Sequence, residues 1–216
     1  MQDSIPPSHQ FDAWIKLSLE QRQLYSSFVT RKMHTGMVNQ GWKCCLPAIQ
    51  TLRQLINHPL LFLKNDPQAA VQSVKAEMHN MTPQAIIAQS PKLQLLVQLL
   101  NKWLSEDLKV LVFSHSVQTL DIIQHVLPSL DQVKACRIDG KTTQEARKKS
   151  VHEFNSARSR FNVMLLSNET GGTGLTLTGA NKSVLFDPHG IKPRQIRQLP
   201  EPADLDKQNN VKPSTS

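Results

Sequence analysis

Cysteine is scarce in this 216-residue chain: Cys44, Cys45 and Cys136, with no C-x-x-C pair. An odd, small set without metal-ligand spacing excludes a disulfide framework and a zinc site, and fits a reducing compartment. No apolar run approaches the roughly 18 residues of a membrane span. The opening MQDSIPPSHQ has neither the basic nor the apolar region of a secretory signal. No repeat recurs at a solenoid period. Glycine is also sparse, eight in all, yet three of the eight fall in one loop over residues 167–174. Charge of one sign is not lacking: 25 Lys and Arg stand against 17 Asp and Glu, a net +8 that is compatible with a polyanionic partner. With 39% hydrophobic and 19% charged residues, global disorder is excluded.

Organisation follows from periodicity. Residues 1–66 read as mostly helical after a short lead, in which Phe11–Leu17 alternates loosely and suggests a strand. Ser18 caps a run beginning Leu19-Glu20-Gln21, with Gln21 where a capping box needs it. A second helix fits Pro47–Ile56 with proline in its first turn, and Pro59 stops it after His58, a helix-end residue in this reading. Residues 67–91, punctuated by Pro67, Pro83 and Pro91, read as a connector with little core of its own, leaving room for one short helix. From residue 92 the pattern sharpens. Leu93, Leu96, Val97, Leu100, Trp103 and Leu104 form the apolar stripe of a helix over Lys92–Leu104. Strands at Lys109–Phe113, Lys134–Ile138, Asn162–Leu166 and Ser183–Phe186 alternate with helices at Val117–Leu127 and Thr142–Asn155. That order predicts an α/β domain over 92–188 with a parallel sheet and right-handed crossovers. Residues 189–216 are proline-rich and poor in large aliphatics, and disorder is expected there. Trp14, Trp42 and Trp103 are expected to be packing residues.

The chemistry-bearing feature is Ser167-Asn168-Glu169-Thr170-Gly171-Gly172-Thr173-Gly174, directly after an expected strand. A glycine-rich turn there exposes backbone N–H groups to a phosphate; a tight turn without a ligand fits the residues equally. The named phosphate motifs fail. G-x-G-x-x-G would need glycine at Leu177, and the P-loop Lys-Ser/Thr positions are Ala180 and Asn181. No Asp-Glu dipeptide exists, so no D-E-x-H motif is available. Residues 137–160 hold seven basic residues against three acidic ones, either a grip on a phosphate backbone or a solvated helix face. Ser114-His115-Ser116 sits at a strand end without a partnered acid or G-x-S-x-G elbow, which argues against a hydrolase triad.

Six ordered blocks carry a family resemblance. They are Leu52–Leu61 (LRQLINHPLL), Ser90-Pro91-Lys92-Leu93, Lys109–Ser114 (KVLVFS), and Arg137–Thr142 (RIDGKT) with Arg147 and Phe154-Asn155. The last two are Val163–Ser167 with Gly171-Gly172-Thr173-Gly174-Leu175, and Val184–Pro188 (VLFDP). The chain resembles the SWI/SNF-type DNA translocases of helicase superfamily two. Gly-Leu-Thr-Leu-Thr at 174–178 is similar to their excision-repair-cross-complementing-like branch. The resemblance implies a RecA-like parallel sheet flanked by helices: an incomplete C-terminal lobe at 92–188, preceded by the helical end of lobe one at 1–66. It implies that Ser114, His115, Lys141, Thr142, Arg147, Ser167 and Asn168 lie near DNA phosphates, and that Gly171, Gly172 and Gly174 line an ATP cleft.

Departures from the family's pattern limit what is expected. After Pro188 the family continues to a Gln-x-x-x-Arg-x-x-Arg motif with arginine fingers, whereas this chain reads His189-Gly190-Ile191-Lys192-Pro193-Arg194-Gln195-Ile196-Arg197. The family's asparagine in Gly-x-Asn-Leu is Thr176. An arginine finger is worth roughly 10³–10⁵ in phosphoryl transfer. The resemblance therefore implies a nuclear protein that binds duplex DNA without reading sequence. ATP and Mg would act only in a complete two-lobe enzyme; no metal site or membrane partner is expected, and no ATPase activity from this chain alone. A non-catalytic module that docks on lobe one of a full-length translocase, or interferes with it, is the alternative. A small nucleotide-dependent enzyme built on the glycine loop is disfavoured by the broken motifs.

Overall fold

A computed structural model of the protein describes residues 9–34, 42–62, 76–168 and 175–187. The first helix, α1 (Leu19–His34), starts at the expected capping box. The Ser18 amide donates to Gln21 Oε1 at 3.1 Å, and the Gln21 amide donates to Ser18 Oγ at 3.2 Å. The lead before it differs from expectation. Residues 9–18 form no strand, and Phe11 and Trp14 are 88% and 96% exposed. Period-two alternation makes a strand only where another strand supplies the hydrogen bonds, and none pairs with this segment among the described residues. Trp14 is therefore not a packing residue, whereas Trp103 packs against the core. The Trp42 side chain lies outside the described atoms.

Helix α2 (Trp42–Asn57) begins five residues before Pro47, which lies inside it. Pro47 lies in the second turn, so α2 forgoes the one helical bond that an N–H there would donate to residue 43. A 3₁₀ turn at Pro59–Phe62 follows, with Leu60 and Leu61 buried. His58, between the two, is buried: Nε2 is 2.9 Å from Ile86 O, and Nδ1 accepts the Leu60 amide at 3.2 Å. Residues 76–90 contribute to the core as well as connecting its parts, because Met78 and Ile86 are buried in it. Thr82 caps α3 (Pro83–Gln89), and Ser90 ends α3 and caps α4 (Pro91–Ser105), each helix opening on proline. Leu93, Leu96, Leu100 and Leu104 form the buried stripe of α4.

The sheet comprises β1 (Val110–Ser114), β2 (Ala135–Ile138), β3 (Val163–Ser167) and β4 (Lys182–Leu185). All neighbours are parallel, in the order β2-β3-β1-β4. Helix α5 (Val117–Val126) connects β1 to β2, and α6 (Gln144–Asn155) connects β2 to β3. These six elements, and α4 before them, lie within two residues of the expected bounds. Strand alternation divides the core between the two faces. Val110, Val112, Val163 and Leu165 pack with α3, α4 and α5, while Leu111, Met164, Leu166 and Ile138 pack with Phe154 of α6. Each such side chain, fully buried, contributes about 1.5–3 kcal/mol. The β1–α5–β2 and β2–α6–β3 crossovers run in opposite directions along the sheet, which puts their helices on opposite faces when both are right-handed.

Candidate nucleic-acid interface

Because every strand is parallel, all four carboxyl ends emerge along one edge of the sheet. Chain leaves β1 toward β2 and leaves β3 toward β4, so the carboxyl ends of these adjacent strands flank the topological switch point where α/β sheets bind ligands. Ser114 and Ser167 are register partners there. The switch point thus brings together the two loops singled out in the sequence, Ser114-His115 and Ser167-Asn168.

These side chains differ in what they have left to offer. Ser114 is fully buried; its hydroxyl donates to Asp187 Oδ2 at 3.0 Å and accepts the Ser116 amide at 3.1 Å. The half-buried His115 donates its backbone N–H to Asp187 Oδ1 at 2.9 Å. Ser167 and Asn168 are buried. Among the described residues, neither polar atom of the Asn168 side-chain amide has a hydrogen-bond partner, and an unpaired buried amide costs about 1–3 kcal/mol unless something meets it. Gly171, Gly172 and Gly174 lie outside the described residues, as does the tail from Pro188.

At the end of β2, Asp139 organises the next loop. Its Oδ1 accepts the Lys141 amide at 2.9 Å, its backbone amide donates to Thr142 Oγ1 at 3.0 Å, and Arg137 donates to its Oδ2 at 2.9 Å. Burial alone would raise the Asp139 pKa, but the Lys141 N–H, Arg137 and Thr142 together hold it below the usual carboxylate range. Arg137 also pairs with Asp121 at 2.6 Å, and Arg160 pairs with Glu153 at 2.8 Å. Of the seven cations of the 137–160 cluster, Arg137 is thus held inside the fold, while Arg160 makes its ion pair at the surface. Lys141, Lys148, Lys149 and Arg158 remain exposed, and Arg147 is half-buried on α6.

At the centre of this edge stands a group that the sequence pattern does not single out, Asp187 at the end of β4. Beyond Ser114 and His115, its Oδ2 accepts Asn57 Nδ2 at 3.1 Å, and Asn57 Oδ1 accepts Lys92 Nζ at 2.7 Å. Burial lowers the Lys92 pKa, and the Asp187 charge acts against that shift. The Lys92 ammonium also lies 4.9 Å from the centre of the Phe186 ring. An acid at a strand's carboxyl end is the one signal that could have flagged Asp187. Among the described residues no group of three or more metal-ligating side chains gathers.

Residues 91–200 match the helicase conserved C-terminal domain. The chain is 32% identical over 191 residues to the DNA repair and recombination protein RAD26 of Saccharomyces cerevisiae, covering 85% of this chain and 16% of that protein. It is 28% identical over 191 residues to human SWI/SNF-related matrix-associated actin-dependent regulator of chromatin subfamily A member 1, covering 87% of this chain and 17% of that one. The chain thus spans about one sixth of the length of these relatives. Among solved structures, the C-terminal part of the Fun30 ATPase domain superposes with a TM-score of 0.67 at 24% identity, over 92% of this chain and 84% of that one. The Sulfolobus solfataricus SWI2/SNF2 ATPase core in complex with double-stranded DNA gives 0.61 at 22% identity, over 79% and 33%.

Proposed function

This chain belongs to the SWI/SNF-type helicase C-terminal family, and from that premise we propose that its sheet's carboxyl edge grips duplex DNA by the phosphate backbone. What supports the reading is the convergence at that edge of Ser114-His115, Asp139–Thr142 and Ser167-Asn168, with the exposed Lys141 beside them and the Asn168 amide unpaired. Cations and N–H donors at strand ends suit contact with phosphate oxygens, which carry no sequence information. Buried Ser114 serves by shaping its turn, while Lys141 and the flanking Lys148 and Lys149 supply the charge. The seven residues assigned to DNA thus divide into holders of loop shape, such as Ser114 and Thr142, and donors of charge, such as Lys141 and Arg147.

ATP and Mg enter this reading as ligands of a complete two-lobe enzyme, in which Gly171, Gly172 and Gly174 would line one wall of the cleft. Alone, the chain does not turn over ATP. It acts in the nucleus, where DNA is its partner.

The test is fluorescence anisotropy with labelled duplexes of two unrelated sequences at stepped salt. Both duplexes bind equally, and affinity falls linearly with salt on logarithmic axes. Lys141→Ala lowers the slope by about 0.9, one phosphate contact. Absence of binding at low salt, or a strong preference for one sequence, defeats the reading. DNA-stimulated ATP turnover by the purified chain defeats the inactivity claim.

A second reading has one observation in its favour: Phe11, Trp14, Leu19 and Leu46 are all more than 60% exposed on the amino-terminal segment. An apolar surface of that kind suits a module that docks on lobe one of a full-length translocase. Pull-down of such a lobe by the wild-type chain but not by Trp14→Ala supports it; equal capture by both argues against it.

A further inference from the structure

One cluster of polar groups joins two parts of the molecule that the DNA reading treats separately. Asn57 ends α2, in the amino-terminal helical segment. Its backbone carbonyl accepts the Ser90 hydroxyl at 2.8 Å. The two carbonyls before it, Leu55 O and Ile56 O, accept the side-chain amide of Gln21 from α1 at 2.9 and 3.2 Å. The end of α2 is thus fastened from both sides. From this anchored point the Asn57 side chain reaches across 130 residues of sequence to Asp187. The other Asp187 contacts go to the turn after β1: the Ser114 hydroxyl and the His115 amide. Asp187 itself is set by the backbone, because the Phe186 amide donates to Phe113 O at 2.9 Å and carries the β1–β4 ladder one residue further.

We infer that Asn57 and Asp187 are positioning residues, which transmit the placement of the amino-terminal helical segment to the Ser114–Ser116 turn. Among the described residues, the carboxylate accepts hydrogen bonds directly from both sides. It satisfies two donors of the turn and one of α2 at once, so a shift of α2 forces a choice among them. Lys92 adds a bias. Its ammonium holds Asn57 Oδ1, which turns the amide so that Nδ2 faces Asp187. Nδ2 also lies 3.3 Å from Thr119 Oγ1, in the first turn of α5, so the same amide steadies the helix that leaves the turn. The geometry stands without DNA; its consequence for binding rests on the phosphate-backbone reading above.

The test uses the full chain with two readouts. Amide hydrogen exchange at His115, taken as a ratio to Val112 in the middle of β1, reports the turn. Duplex-DNA anisotropy reports its consequence. Asn57→Ala is expected to raise the His115 ratio about tenfold although Asn57 does not touch His115, and to weaken DNA several-fold. Asp187→Asn is expected to do the same, and Asn57→Ala in that background to add only the small part carried by Thr119, because the main path runs through the carboxylate. Gly179→Ala, a destabilising change on the opposite face of the sheet, is the control and leaves the ratio unchanged. An unchanged His115 ratio in Asn57→Ala overturns the inference, and so does a full additional effect in the Asp187→Asn background. If Asn57→Ala does not fold, Lys92→Met takes its place under the same criteria. If the wild-type chain fails to bind duplex but the exchange coupling is present, the phosphate-backbone reading fails and the positioning role stands.

Discussion

Acid acts on this fold through His58. Its ring is buried, and its hydrogen bonds require the neutral form: Nε2–H faces Ile86 O at 2.9 Å, while Nδ1 must keep its lone pair to accept the Leu60 amide. Burial pushes the pKa down from 6.5 to about 4, against a smaller upward pull from the Ile86 carbonyl. The unfolded chain binds a proton at His58 below 6.5 and the native chain binds it only near 4, so between those values the unfolded state carries more protons. Stability from this group is therefore complete above pH 6.5 and lost as pH falls toward 4. At about 1.4 kcal/mol per unit, the loss sums to about 3 kcal/mol, on the order of 10 °C in melting temperature for a chain of this size. Urea melts of the wild type and His58→Asn from pH 7.5 to pH 4 separate this contribution from those of the other histidines and the carboxylates. The variant starts less stable and the two curves converge as pH falls. Parallel curves across that window would refute the assignment of His58 as the neutral, buried donor–acceptor between α2 and α3.

The sheet and its helices were legible because each carries its own period. In α4 the spacing Leu93, Leu96, Leu100 and Leu104 defines one stripe without help from the rest of the chain. In β1 and β3 unbroken apolar runs mark strands covered on both faces, and the structure shows Val112 and Leu111 buried on opposite sides. Where one part depends on another, local pattern misleads. Phe11–Leu17 has strand periodicity but no neighbouring strand among the described residues. Residues 76–90 look polar, yet Met78 and Ile86 fill space left by α4 and α5. The start of α2 was misjudged because Pro47 is a good first-turn residue and also tolerable slightly further in.

The same division runs through the candidate interface. The loops after β1, β2 and β3 stood out because serine, glycine and cations follow directly on apolar strands. Their adjacency came from the β2-β3-β1-β4 order, which no local signal encodes. Asn57, Lys92 and Asp187 lay in plain view inside the family blocks, but a carboxylate bonded to residues 73 and 130 positions away has no periodicity to betray it. Charge counting had a comparable blind spot: Arg137 belongs to the basic cluster by sequence and to Asp121 and Asp139 by contact.

Three further changes test the packing that supports this edge. The Cys136 thiol, its pKa raised to about 12 chiefly by burial, reacts slowly with iodoacetamide in the native chain at pH 8 and rapidly in urea. Mass spectrometry of its peptide measures the ratio, and equal rates contradict the burial. Ser90→Ala removes both the cap that accepts the Leu93 amide and the hydroxyl donated to Asn57 O, at a cost of about 1–3 kcal/mol in urea melts. A loss under 0.5 kcal/mol, the range of ordinary surface changes, would mean that neither bond contributes. Gly179 lies where the chain passes over the end of α6. Its amide donates to Asn155 Oδ1 at 3.0 Å, and Asn155 Nδ2 donates to Thr176 O at 2.8 Å. A methyl group at Gly179 would sit 2.8 Å from Asn155 Cα and 2.9 Å from Phe154 O, both backbone atoms that cannot turn aside as a side chain can. The same helix end is fixed from below, because Lys109 Nζ donates to Phe154 O at 2.9 Å and Ser156 O at 2.7 Å. Gly179→Ala must therefore displace the 175–181 segment, costing about 1–3 kcal/mol by the usual measure of overpacking. A variant that melts with the wild type would show that this segment does not rest on α6, and that the return of the chain from β3 to β4 is held by something other than this contact.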